Sequence, residues 1–342
     1  MSHQPAVALV TCSAFPGLDA YDAVLLPRLN SMGIAARAVV WDDPAVDWDA
    51  FDLCVVRSTW DYASRRDEFL AWAWSVPRLA NPAAALEWNT DKHYLADLEK
   101  RGVPVVATTW LEPGQGLRAR GLHTRMPALG DFVLKPAVSA GSVEAGRYTA
   151  NDSYARGEAI AHALRLLEAG QSVMLQRYLP SVDTKGETSM VFLDGRYAYA
   201  VRKNAMLTGP VSSGRMYQAE SLAGGHQPSD AELAVANAAI EAAAAAVAAA
   251  AVGAGEAADA AGAARTAGAA AAVAAGEAAD AADGPARPLR PFLYARADLV
   301  QRDDGQPVLL ELELTEPALF PELAVGGIEL VCRAIAGRLS PV

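Results

Sequence analysis

LYARADLVQRDDGQPVLLELELTEP, residues 293–317, holds two apolar runs on either side of Asp303-Asp304-Gly305, and so reads as two β-strands joined by a turn. The acidic residues inside those runs are the anomaly. Side chains alternate along a strand, so Glu311 and Glu313 share one face, and Asp298 can join them from the partner strand. Three converging carboxylates repel unless a cation sits among them. Hard oxygen donors suit Mg²⁺, which commonly bridges protein carboxylates to substrate phosphates, with Mn²⁺ as the alternative ion. Taken alone, Glu311 and Glu313 also fit the solvated face of an amphipathic strand with Leu310 and Leu312 inside.

Upstream, ETSMVFLDGRYAYAVRKNA has the form of a hairpin turning at Asp194-Gly195. Before it, in DFVLKPAVSAGS, a strand ends in Lys135 and runs into a loop of Ala137, Ser139, Ala140, Gly141 and Ser142. Small residues let backbone N–H groups come close to phosphate oxygens, and the lysine adds a mobile point charge. The loop is not a Walker A sequence, and by itself it also fits a surface lysine before an ordinary turn. SVMLQRYLP offers a strand exit at Gln176, Tyr178 and Leu179, suited to reading an adenine edge through backbone groups or, equally, to linking two domains. With the strand GVPVVATTWL and a helix between Asn151 and Ala169, these pieces make a compact α+β unit.

At the N-terminus PAVALVTCSA, AARAVVW and FDLCVVRS read as strands separated by a helix that ends at Gly33. Such βαβ units imply a parallel sheet whose C-terminal loops collect ligands. One of those loops makes Arg57, Ser58, Thr59, Trp60, Asp61 and Tyr62 candidate pocket residues, or else a loop packed on the helix after Asp67. NPAAALEWNTDKHYLADL then leaves the first domain, with Asn89 or Thr90 as a candidate helix N-cap. The expected domains are 1–88, 89–178 and 179–342. An Ala-rich insertion at 253–290, repeating GEAADAA from Gly255 and Gly276, has side chains too small to dock firmly.

The 342 residues carry 29 Lys and Arg against 40 Asp and Glu, a net charge of −11, which disfavours nucleic acid and anionic membrane surfaces. Cys12, Cys54 and Cys332 are widely spaced in apolar contexts and read as buried thiols, with neither a disulfide framework nor a zinc pattern. No run reads as the roughly 20 apolar residues of a membrane span, and the five histidines lack metal spacing, so a cytoplasmic protein is expected.

Taken in order, Lys92, Lys135, Gln176, Glu187, Asp298, Glu311 and Glu313 resemble the ATP-grasp superfamily, above all its glutathione-synthetase-like and RimK-like members. The resemblance spans nearly the whole chain outside the Ala-rich insertion. It implies an α/β and α+β architecture: an N-terminal Rossmann-like domain, a central α+β lid subdomain and a C-terminal α+β subdomain. By the same likeness Lys92 and Lys135 contact ATP phosphates beneath the loop of Ser139, Gly141 and Ser142, and Gln176 to Leu179 hold adenine. Glu187 stands near ribose or metal, Arg202 and Arg296 join Lys135 at the transferred phosphate, and Asp298, Glu311 and Glu313 ligate metal. Many members have Glu-x-Asn where this chain has Glu311-Leu312-Glu313, which makes its site more negative.

The implied reaction is attack of a substrate carboxylate on the γ-phosphate of ATP, giving an acylphosphate that a nitrogen nucleophile then captures. The strings RSTWDY, NPAAALEWNTDKHYL, KPAVSAGS, YARADLV and ELTEPALF resemble a subgroup that includes ring closure of O-ureido-D-serine to D-cycloserine. The expected partner is a small amino-acid-like molecule, with Glu316 at a substrate amine and a homodimer allowed. Two alternatives remain at this level: a ligase adding amino acids to a peptide or protein tail, and an ATP-binding module without catalysis.

Overall fold

The structure, a computed structural model, describes residues 4–207, 209–211, 221–260 and 292–339, and the side chains of 252–260 lie outside that description. Three strands, β1 (Ala6–Thr11), β2 (Ala35–Val40) and β3 (Leu53–Val56), form a parallel sheet in the order β2-β1-β3. The continuous apolar runs predicted this, since a sheet covered on both faces needs no polar alternation. One face meets α1 (Ala20–Ala23) and α2 (Leu25–Ser31), where Val7, Leu9, Leu25 and Leu29 share a core. The other meets α3 (Arg66–Ser75), where Trp41, Phe69, Trp72 and Tyr62 pack together.

Helices α4 (Ala83–Asn89) and α5 (Tyr94–Lys100) follow. Asn89 and Thr90 end α4 and do not cap α5, contrary to expectation. Ala84, Ala85, Tyr94, Leu95 and Leu98 bury themselves with Phe192, Leu299 and Leu312 of the C-terminal sheet. A boundary at residue 88 therefore cuts α4, a helix whose apolar face is packed on the last domain.

The central unit has β4 (Thr108–Leu111), β5 (Asp131–Pro136), β6 (Gly146–Thr149) and β7 (Val173–Arg177) in the antiparallel order β4-β7-β5-β6. Leu122 of α6 (Ala119–Arg125) and Ala159, Ala163 and Leu166 of α7 (Ser153–Glu168) cover one face. Asp152 caps α7 by accepting from the amides of Tyr154 and Ala155. Short α8 (Ser181–Lys185) leads on to the C-terminal sheet.

That sheet runs β10-β9-β8-β11-β12, from β8 (Glu187–Leu193), β9 (Arg196–Lys203), β10 (Leu222–His226), β11 (Tyr294–Gln301) and β12 (Pro307–Glu313). The β8–β9 turn is the Asp194-Gly195 one read from sequence, with φ of 50° and 70°. The long helix α9 (Asp230–Ala260) lays Ala236, Ala239, Ile240, Ala243 and Val247 against β8, β11 and β12. Its stretch Asp230–Ala251 corrects the expectation that no segment could span a membrane: it has the length and a mean hydropathy of 1.7, although one face is buried in the protein core. The remainder of the expected insertion, 261–290, lies outside the described residues.

The last helix, α10 (Gly327–Gly337), returns to the N-terminal domain, where Val331 and Ile335 pack with Val7, Leu9 and Leu29. The helix at the end of the expected C-terminal unit therefore packs on the first domain. All three cysteines are free and buried, as the sequence indicated.

Candidate active site

A cavity opens between the central and C-terminal sheets, and residues of the N-terminal domain also line it. Lys92, Lys135, Ser139, Gly141, Ser142, Gln176, Tyr178, Leu179, Glu187, Arg296, Glu311, Glu313 and Glu316 line it, with Trp60 and Tyr62 from the N-terminal domain. Residues more than 200 positions apart in the chain meet here because two antiparallel sheets present one face each.

Lys92 and Lys135 converge on one carboxylate. Their Nζ atoms stand 3.4 and 3.3 Å from Glu311 Oε1. Burial raises the pKa of Glu311, but Lys135 and Lys92 overcome it and bring the group down to about 2. Lys92 also donates to the backbone oxygen and hydroxyl of Ser139, at 2.7 and 3.1 Å, which fixes the small-residue loop over the cavity. Ala140 of that loop packs into the N-terminal core with Trp60 and Tyr62, so the loop bridges two domains. Ser142 sits at φ 60°, in the left-handed region, next to Gly141 at φ 59°.

Asp298 lies directly across from Glu311, and Arg296 across from Glu313. A bulge at Leu310 sets this register, because Leu299 pairs with Leu309 while Asp298 pairs with Glu311. Asp298 is fully buried behind the cavity wall. It accepts from Lys203 at 2.7 Å, from Arg296 at 2.9 Å and from Ser189 at 2.6 Å. Although burial opposes ionisation, Arg296 and Lys203 hold its carboxyl well below the usual range. Arg296 also pairs with Glu313 and donates to the Ala318 carbonyl at 2.8 Å. Glu313 is nonetheless pushed up to about 8, by burial first, with Asp298, Glu311 and Glu316 outweighing the single arginine.

The three expected metal ligands therefore do not gather into a ready-made cluster: among the described residues no three acidic or His/Cys side chains are placed to hold an ion together. Protein cations occupy the gaps between them. The donor set still fits Mg²⁺, because that ion keeps several waters and needs only one or two carboxylates beside substrate phosphates. Asp298 and Glu311, cross-strand neighbours, supply such a pair.

One part of the lining is apolar. Val106, Val133, Tyr178, Val182 and Val300 form a cluster, with Leu179 and Leu310 against it, and each lines the cavity. The β7 exit, Gln176 to Leu179, borders it. Arg147 lies 3.6 Å over the Tyr178 ring and pairs with Asp131 and Asp183, bracing this edge.

Arg202 was expected near the transferred phosphate, but it faces away and donates to the His226 ring at 2.7 Å. Lys203 takes the inward position, 3.2 Å from Glu187. The cause is a second bulge. An unbroken two-residue hairpin at Asp194-Gly195 would bring Arg202 opposite Glu187, but Ala198 is an extra residue between the paired Tyr197 and Tyr199 and moves Lys203 into that place.

The loop Arg57 to Tyr62 divides. Trp60 and Tyr62 reach the cavity, whereas Arg57, Ser58, Thr59 and Asp61 do not line it. Arg57 is wholly buried, 3.0 Å from Asp22, with its guanidinium also on the Pro317 carbonyl and over the Tyr294 ring. Ser58 joins Asp19, and Asp61 accepts from Trp41 Nε1 at 3.0 Å. Arg57, Ser58 and Asp61 hold the loop in place, while the Thr59 hydroxyl is buried with no hydrogen-bond partner among the described residues. Asn89, read from sequence as a cap, is a bracket: its side chain donates to Leu312 O and accepts from Leu314 N, each at 2.7 Å.

Comparison with known proteins shows what the whole chain is similar to. The family described as D-cycloserine synthetase DcsG, N-terminal domain, matches residues 7–81. The cycloserine biosynthesis protein DcsG of Streptomyces lavendulae is 35% identical over 98% of this chain and 99% of its own. A crystal structure of D-cycloserine synthetase DcsG superposes with a TM-score of 0.76 at 32% identity, covering 98% of this chain and all of that one. At the level of fold alone, an ATP-bound D-alanine–D-alanine ligase of Bacillus anthracis superposes at 0.58 with 13% identity, over 98% of this chain and 99% of that one. Full-length similarity, three-domain fold and lysine-lined cavity lead to one conclusion: the chain belongs to the DcsG family of ATP-grasp ligases and is an ATP-dependent ligase.

Proposed function

We propose that the enzyme activates the carboxylate of O-ureido-D-serine with ATP and closes it to D-cycloserine, in antibiotic biosynthesis in the cytoplasm. What supports this is the full-length likeness to D-cycloserine synthetase DcsG, together with a cavity that Trp60, Tyr62 and Glu316 line along with the Lys92–Glu311–Lys135 group.

In this reading Lys92 and Lys135 would hold phosphate oxygens, and Glu311 and Asp298, with Glu313 as a further donor, would hold Mg²⁺; Mn²⁺ suits the same oxygens. The metal supplies charge neutralisation along the triphosphate. Lys203 and Arg296, already held in the wall, stabilise the charge spread over the moving phosphoryl group. The substrate carboxylate gains a C–O–P bond as ADP leaves. The oxyamine nitrogen of the same molecule then forms the C–N bond, and inorganic phosphate departs. Water then cleaves the bond between that nitrogen and the carbamoyl carbon, returning a proton to the ring nitrogen and releasing carbamate, which breaks down to carbon dioxide and ammonia. Holding carboxylate and nucleophile in one folded pose replaces a bimolecular encounter by a ring closure.

The test is incubation with ATP, Mg²⁺ and O-ureido-D-serine, with ADP followed by coupled assay and the product by mass spectrometry. Formation of D-cycloserine together with ADP is expected. ADP release on other amino acids but not on this one would replace the substrate while keeping the reaction class.

A further inference from the structure

Each acidic group around the cavity has a cationic partner except one. Glu311 has Lys92 and Lys135, Glu313 has Arg296, Asp298 has Lys203 and Arg296, and Glu187 has Lys203. Glu316 is 8% exposed, lines the cavity and, among the described residues, makes no ion pair. The Tyr62 hydroxyl hydrogen-bonds to it. A buried carboxylate without a counterion is costly, and burial pushes Glu316 up to about 7 even though Lys92 pulls the other way.

The backbone that carries Glu316 is held on both sides: Tyr294 donates to Thr315 O at 2.9 Å, Arg57 to Pro317 O, and Arg296 to Ala318 O at 2.8 Å. From this braced turn Glu316 lines the cavity. Trp60 and Tyr62 add aromatic surface to the same recess, and ring faces attract cations.

We infer that the recess of Glu316, Tyr62 and Trp60 is the subsite for the substrate's ammonium group, so that the enzyme selects an α-amino carboxylate over the same carboxylate lacking the amine. This rests on the ligase reading above. Lys92 acts on Glu316 from the phosphate side, so the subsite lies beside the place where the carboxylate is activated. An α-amino acid has that compactness, with one carbon between carboxylate and nitrogen. An anionic group in the recess would face Glu316 directly, and a hydroxyl would leave its charge unbalanced.

The experiment compares O-ureido-D-serine with its des-amino analogue, 3-(ureidooxy)propanoate, on the full chain. Binding of each to the enzyme saturated with Mg²⁺ and a non-hydrolysable ATP analogue is measured by calorimetry, and ADP release is followed in parallel. The wild type should prefer the amine by about 10- to 100-fold in affinity, the range for a hydrogen bond between charged groups. Glu316→Gln, which keeps the shape, should collapse that preference to within a few-fold while the affinity for Mg·nucleotide stays within about twofold. Tyr62→Phe should weaken the preference less. Equal binding of the two compounds by the wild type, an unchanged preference in Glu316→Gln, or a loss of Mg·nucleotide affinity in that variant would each overturn the subsite. Calorimetry decides the matter even if neither compound supports ADP release, an outcome that would instead remove the ligase substrate.

Discussion

Strands β11 and β12 and the loop Arg57 to Tyr62 both bring polar residues to the cavity, but with very different yields. On the strands Arg296, Glu311 and Glu313 reach it, and Asp298 backs them directly. On the loop, only Trp60 and Tyr62 reach it, while Arg57, Ser58, Thr59 and Asp61 are turned inward. A strand pairs its backbone with its neighbours, which leaves its side chains available for chemistry. A loop without such a ladder uses side chains to hold its shape. Polar residues in a strand are thus read as functional with better reason than those in a loop.

This contrast can be broken most directly on the strand side. Lys135→Ala or Glu311→Ala should lower turnover by about 1000-fold or more while thermal unfolding stays cooperative, since each removes a phosphate or metal contact and not core packing. ADP release measured with O-ureido-D-serine checks it, and near-normal turnover in either variant would refute the site. On the loop side the effect should fall on stability. Arg57→Met leaves Asp22 buried without its partner, and chemical denaturation should show a loss of about 3–5 kcal/mol.

The neighbours on β9 sharpen the comparison. Lys203→Met should reduce kcat by about 100-fold, whereas Arg202→Met should stay within about threefold, the reverse of what an unbroken hairpin register implies. Steady-state kinetics on the two variants decides which face of β9 the bulge turns inward. The smallest expected effect concerns the layer behind the loop. Asp19 is raised to about 6, by burial first and then by Asp22. The folded protein holds that proton more tightly than the unfolded chain, so this group's contribution falls as pH rises from the unfolded value near 4 through about 6. Asp19→Asn should remove that decline, worth about 2 kcal/mol, in urea melts between pH 4 and pH 8.

Much of the site was legible along the chain. Lysines at strand ends, a loop of small residues and acids inside apolar runs are each anomalous locally, and local anomalies survive into the fold. Lys203 was not legible, because a single extra residue at Ala198 reverses parity and nothing in RYAYAVRK marks it. Arg57 stayed open between pocket and packing for another reason. A polar residue after a parallel strand suits a ligand loop or a buried brace equally well, and only the presence of Asp22 and the Pro317 carbonyl within reach distinguishes them. Asn89 likewise looked like a helix cap until its partners on residues 312 and 314 came into view.

The sequence by itself determined the strands, their turns, the acidic and basic residue types and the family likeness, since periodicity and composition are local properties of a chain. Tertiary structure alone decided which face each β9 residue shows, that α4 and α5 belong with the last sheet, and that α10 closes the first one. It also decided the charge pairing that leaves Glu316 without a cation among the described residues. Such pairing depends on distances of a few ångströms between residues hundreds of positions apart, and Coulomb energy varies with that separation and with burial, neither of which is written in the order of the residues.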